Sequence, residues 1–175
     1  MSKAFFDENS GRIIVKGIKV KPGQMDMKFR NFKGAESDKN RAGSRNFCVV
    51  ISEEDKDMLE EAIKKAGMQL SIKEYNGEYY FKVLVRYDNF PPVVKRVKYA
   101  PNGQPIITEI TEDTVGMLDS LLIADASVSC APTYVSKYKT WSCYLTTLSF
   151  TPLVDPIEEE LEEMSYGNAG EVPFE

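Results

Sequence analysis

The chain of 175 residues contains no histidine. That excludes Ser-His and Cys-His nucleophile pairs, an imidazole base and any His-ligated metal site. Cysteine is scarce: Cys48, Cys130 and Cys143 are odd in number and show no C-x-x-C spacing. Neither a disulfide framework nor a zinc site is expected, and the three read as small buried side chains in a reducing compartment. No apolar run approaches the roughly 18 residues of a bilayer span. The first residues are too acidic, and their apolar part too short, for a signal peptide. A soluble, intracellular protein without a membrane partner is therefore expected. Neither G-x-x-x-x-G-K-[ST] nor G-x-G-x-x-G occurs, so the common phosphate-cradling loops are missing.

Basic residues are also missing from one end. All 22 Lys and Arg precede residue 140, whereas residues 155–175 hold eight acids and no base. Residues 1–154 hold the other 19 acids and are net +3, and residues 1–50 alone are net +6. A mildly basic body, 1–154, is thus followed by an acidic tail, 155–175. Segment charge informs on partners rather than fold, and a cationic first third suits a polyanion. In the tail, residues 156–164 place Ile157, Leu161 and Met164 on one helical stripe, and residues 165–170 are small, polar and expected to be flexible. Val172, Pro173 and Phe174 lie next to the terminus, where a large aromatic has no core to join. They read as a docking peptide whose proline limits the entropy lost on binding.

What remains is rich in strand patterns. Residues 11–20 are β-branched, and Pro22-Gly23 marks a turn. Residues 25–32 alternate, with Met25, Met27 and Phe29 on one face and Asp26, Lys28, Arg30 and Phe32 on the other. Residues 33–44 read as a polar loop, and 45–51 as the next strand, antiparallel to the last. Ser52 and the acids behind it open a helix whose apolar stripe is Met58, Leu59, Ala62, Ile63 and Ala66, with Gly67 as its stop. Residues 68–75 and 78–87 read as strands joined by Asn76-Gly77, a strong hairpin signal. Strands at 93–99 and 106–110 precede a short second helix from Thr111 to Asp119. Residues 120–131 and 140–153 form a last strand pair. No βαβ repeat is present. The expected fold is mainly β with two helices: a five-stranded OB-fold-like barrel with inserted helices and added hairpins.

Cations and rings recur together. Lys28, Arg30, Phe32 and Lys33 precede the polar loop, and Lys39, Arg41, Arg45 and Phe47 lie in or after it. The triplet Arg-Asn-Phe occurs at 30–32 and again at 45–47. If the two strands pair, the triplets meet on one ribbon. Single-stranded nucleic acid requires this combination, because cations follow the phosphates while aromatic faces stack unpaired bases. Phe32, beside a polar loop, reads as a stacking residue; Phe47, before an apolar run, fits core at least as well as stacking, and Phe29, on the face of Met25 and Met27, reads as core. A second group is Arg86, Tyr87, Phe90, Lys95 and Arg96. A third is Tyr134, Lys137 and Tyr138, with Trp141 nearby and read as core. An enzyme would have to use carboxylates and a metal. Asp113, Asp119 and Asp125 are scattered, Asp113 is better read as a first-turn helix acid, and none has metal-ligand spacing. No catalytic residue, metal or cofactor is expected.

The chain resembles the single-stranded DNA-binding proteins of tailed bacteriophages. The resemblance rests on residues 29–34 (Phe-Arg-Asn-Phe-Lys-Gly), 43–49 (Gly-Ser-Arg-Asn-Phe-Cys-Val), 112–119 (Glu-Asp-Thr-Val-Gly-Met-Leu-Asp) and 144–148 (Tyr-Leu-Thr-Thr-Leu). It implies an OB-fold that coats single-stranded DNA during phage replication, recombination and repair, in the cytoplasm of the infected host. The acidic tail is similar to that of bacterial single-stranded DNA-binding proteins, which recruits replication and repair enzymes through a terminal Pro-Phe. Here Glu175 follows the phenylalanine, so a pocket that grips the Phe carboxylate could not be used in the same way. The expected function is sequence-tolerant single-stranded DNA binding, with self-association as a further mode. The competing readings are an interaction factor that works through its tail without nucleic acid, and a metal-dependent nuclease.

Overall fold

The computed structural model describes residues 2–88 and 90–153. The acidic tail, its expected helix at 156–164 and the Val172-Pro173-Phe174 peptide lie outside the described residues.

Eleven strands are described: β1 (Lys3–Asp7), β2 (Arg12–Lys21), β3 (Gln24–Met25), β4 (Met27–Asn31), β5 (Arg45–Ile51), β6 (Ile72–Tyr75), β7 (Glu78–Val85), β8 (Val93–Tyr99), β9 (Pro105–Ile110), β10 (Ile123–Val135) and β11 (Thr140–Pro152). One α-helix, α1 (Glu53–Lys65), follows β5, and a 3-10 helix spans Val115–Asp119. The main sheet path runs β1-β2-β10-β11-β7-β5-β4, with β3 on β2, β6 on β7, and the β8–β9 hairpin on β11. In place of the expected partly open, five-stranded OB-like barrel with added hairpins, the strands form one open, eleven-stranded sheet. Strands β2 and β4, remote in that path, approach each other at Asp26. Its N–H donates to Lys19 O (2.9 Å), and its carbonyl accepts from Val50 N (2.8 Å). Its carboxylate, itself buried, accepts from Lys19 N (3.0 Å) and Gln24 Nε2 (2.9 Å).

Local chemistry explains most elements. Asn76 (φ 51°) and Gly77 (φ 78°) both take the left-handed conformation that a tight hairpin needs, and they join β6 to β7. Ser52 Oγ accepts from Asp55 N (3.1 Å) and caps α1. Leu59 and Ile63 bury the inner face of α1, but Met58 is exposed, a correction to the expected stripe. Asp55 is buried as well, because its carboxylate accepts from Ala4 N (2.9 Å) and ties the helix to β1. The second expected helix shrinks to the single 3-10 turn at Val115–Asp119. Val115 and Leu118 anchor it in the core, and the Thr114 side chain makes no cap.

The core is formed by inward residues of β2, β5, β7, β10 and β11, with Phe32, Phe47, Phe81 and Phe150 as its largest members. The three cysteines are free and buried, as read from the sequence.

Candidate nucleic-acid interface

Strands β4, β5 and β7 pair side by side, so residues directly opposite each other share a face. Lys28 lies opposite Cys48, which lies opposite Lys82. Tyr80 lies opposite Val50 on one side and Lys73 on the other. Asn31, Asn46 and Leu84 form the next row. Along β7, Phe81, Val83 and Val85 point into the core, so Tyr80, Lys82 and Leu84 must point out.

This outer face floors a groove of about 960 Å³. Its cations are Arg30, Lys39, Lys73 and Lys82, and its rings include Phe29, Tyr80 and Trp141. Cys48 lies on the floor, where burial pushes its thiol pKa up against the opposing pull of Lys82 and Lys73. It is held as a neutral thiol between two lysines. Trp141 connects the groove to the β10–β11 hairpin, since Tyr134 is paired with it and meets it edge-on at 5.7 Å.

One defect in β4 decides what faces the groove. The β4–β5 register shifts between Lys28 and Asn31, and Phe29 has φ 53°. Left-handed backbone at a bulky residue is rare and costs roughly 1–3 kcal/mol. The extra residue reverses the in-out alternation beyond it. Phe29 is consequently 65% exposed and its ring lies 6.0 Å from that of Tyr80. Phe32 turns inward, is fully buried, and stacks on Phe47 at 4.8 Å and 19°. The expectation that Phe32 stacks on bases is thereby corrected, as is the same role for Phe47: neither ring has a free face. The two Arg-Asn-Phe triplets do meet, with Asn31 opposite Asn46, but their rings complete the core.

The other residues singled out from the sequence fall into three groups. Some are engaged within the protein. Lys28 pairs with Glu78. Arg30 Nη1 donates to Leu118 O (2.7 Å) and Leu121 O (2.6 Å), and burial lowers its pKa against the opposing pull of Asp119. Arg45 pairs with Glu112 (3.2 Å) and lies over the Tyr87 ring at 5.4 Å. Tyr87 is half-buried, and its pKa is raised by desolvation. Arg96 is half-buried. A second group is exposed on the 33–44 loop: Lys33, Lys39 and Arg41. That loop is cross-linked rather than loose. Asn40 Nδ2 donates to Ala35 O, Arg41 O and Ser44 O, and its Oδ1 accepts from Asn46 Nδ2. Gly34 (φ 75°) closes the loop base, where a Cβ would come within 3.1 Å of the Gly43 backbone. A third group is exposed elsewhere: Arg86, Phe90 and Lys95 near the β7–β8 connection, and Tyr134, Lys137 and Tyr138 at the β10–β11 turn. Phe90 is 92% exposed.

The sequence reading missed Lys73, Tyr80 and Lys82, and assigned Trp141 and Phe29 to the core. The β7 residues carried a signal: a basic-aromatic face alternates there with Phe81, Val83 and Val85. Phe29 carried none, because simple alternation places it inside.

A sheet face carrying exposed lysines beside one exposed and two half-buried rings has the arrangement of the class of proteins that receives unpaired nucleic acid. Comparison with known proteins narrows the class. Residues 12–173 match the model of a family described as "Putative phage ssDNA-binding domain", and the chain belongs to that family. Among solved structures, the chain is similar to the single-stranded DNA-binding protein from bacteriophage Enc34 in complex with ssDNA. The TM-score is 0.52 at 9% identity, covering 89% of this chain and 94% of that one. Two further structures of the Enc34 protein, one a C-terminal truncation, give TM-scores of 0.49 at 8% identity. They cover 89% and 91% of this chain and 94% of theirs. No curated protein matches the chain.

Proposed function

We propose that this phage-family protein binds single-stranded DNA without sequence preference along the β4–β5–β7 face. The observation that carries the reading is the co-location of Lys39, Lys73 and Lys82 with Tyr80 and Trp141 around one groove. Phosphates run past the lysines and bases stack on the rings. The β10–β11 turn, with Tyr134, Lys137 and Tyr138, extends the path beyond Trp141. The rolled sheet, with β2 and β4 meeting at Asp26, supports an OB-like architecture, and such folds receive oligonucleotides on a strand face. The protein acts by coating and protecting the strand during phage replication, recombination and repair in the host cytoplasm, not by catalysis.

The test is salt dependence. Each phosphate neutralised contributes about 0.7 to the magnitude of the slope of log K against log salt on single strands. Replacing Lys39, Lys73 and Lys82 together by Gln is expected to reduce the slope for oligo-dT by about 2 and to leave the melting temperature within a few degrees. An unchanged slope would move the binding surface elsewhere, first to the exposed Arg86, Phe90 and Lys95 group.

The acidic tail, 155–175, is proposed as a separate segment that recruits replication or repair proteins through Val172, Pro173 and Phe174. Its charge opposes that of the groove lysines. Deleting it is expected to tighten oligo-dT binding, most at low salt, where screening is weakest. Equal affinities of the full and shortened chains at low salt would remove this competition.

A further inference from the structure

The groove lysines attract single and double strands alike, so any preference between them rests on the rings, of which Tyr80 and Trp141 are half-buried and Phe29 stands exposed. One residue in the groove has a conformation that folding alone does not explain. A bulge of this type ordinarily places glycine at its left-handed position. Here the position holds Phe29, at φ 53° and 65% exposed. The protein thus carries backbone strain and leaves a large apolar ring in water, at a place where glycine would relieve both. Tyr80 supports one side of the ring at 6.0 Å and an interplanar angle of 59°, leaving the rest uncovered above the groove. Outliers of this kind cluster where structure is held for binding.

We infer that Phe29 is the specificity-determining residue for the unpaired strand: the bulge lifts its ring out of the core to stack on one exposed base. A paired base inside a duplex has its faces occupied by its neighbours and cannot offer one, so the contact is available only to single strands. The inference rests on the reading of the groove as a single-stranded DNA site. It adds the discriminating residue, which the lysines cannot supply.

Three chains and two probes test it: the full-length protein, Phe29→Gly and Phe29→Trp, each titrated with oligo-dT and with a mixed-sequence duplex. Phe29→Gly is expected to bind oligo-dT about tenfold more weakly, the effect of one lost stack, and to bind the duplex as before. The single-to-double preference then falls about tenfold. Its melting temperature is expected to stay level or rise, because glycine suits the backbone. Phe29→Trp is expected to keep oligo-dT affinity within about twofold, since a larger ring stacks at least as well. The inference is overturned if Phe29→Gly keeps wild-type oligo-dT affinity, or if it loses oligo-dT and duplex equally. A lower melting temperature in Phe29→Gly would also overturn it, by making the ring a structural part. Failure of the unmodified protein to bind oligo-dT at all would instead remove the groove reading itself.

Discussion

Phe32→Ala is expected to lower the free energy of unfolding by about 3–5 kcal/mol, the usual loss for a buried phenylalanine. Phe32 has no exposed surface and lies stacked on Phe47, so truncation removes both transfer free energy and a ring contact. A cavity would open between β4 and β5, where the register is already interrupted. A domain of this size has about 5–15 kcal/mol to lose, so the variant would approach the threshold of folding. Urea unfolding followed by the fluorescence of Trp141, the one tryptophan in the chain, measures the loss. In low urea, where the variant is still folded, its oligo-dT affinity is expected to match the parent. A stable variant that binds DNA poorly would contradict this account of the core and restore Phe32 to the binding surface.

Asp119→Ala is expected to cost about 2–4 kcal/mol, on the scale of hydrogen bonds to a charged group. The two carboxylate oxygens accept from the backbone N–H groups of Phe32 (2.6 Å) and Lys33 (3.1 Å). The same charge favours the Arg30 guanidinium, which donates to two carbonyls of the Val115–Leu121 segment. Asp119 and Arg30 together fasten the end of β4 to the 3-10 helix, so the two residues work as one clasp. Arg30→Met is expected to be destabilising as well, and the double variant to cost less than the sum of the two, because each change disables the same clasp. Strict additivity in urea unfolding would show that the two act separately. Arg30 is the cation from the early ribbon most committed to structure, and its loss should register in stability before it registers in DNA binding.

Much of this was legible before any fold was known. The Asn76-Gly77 hairpin, the capped helix at 53–65 and the long final strand pair follow from turn chemistry, capping and alternation, all of them local. The joining of the two Arg-Asn-Phe triplets also follows from simple pairing of neighbouring strands. Strand β1 was not read, and the segment before Asp119 was read as a longer helix than it forms. In both cases distant contacts decide. Ala4 N is held by Asp55, and the 3-10 turn is shaped by Arg30 of β4 and by Phe32 just beyond it.

The candidate site shows the same division more sharply. The linear sequence alone determined that the body is basic, that imidazole chemistry is absent, and that cations accompany rings, because these depend only on which residues are present and in what order. Tertiary structure decided which rings face water. A single inserted residue in β4 reverses the side on which every later side chain lies, so Phe29 emerges and Phe32 is enclosed. Side-chain alternation has a period of two, and a pattern with that period cannot reveal its own phase slip. Only the pairing of β4 with β5, and the clasp that holds the end of β4, make the slip visible.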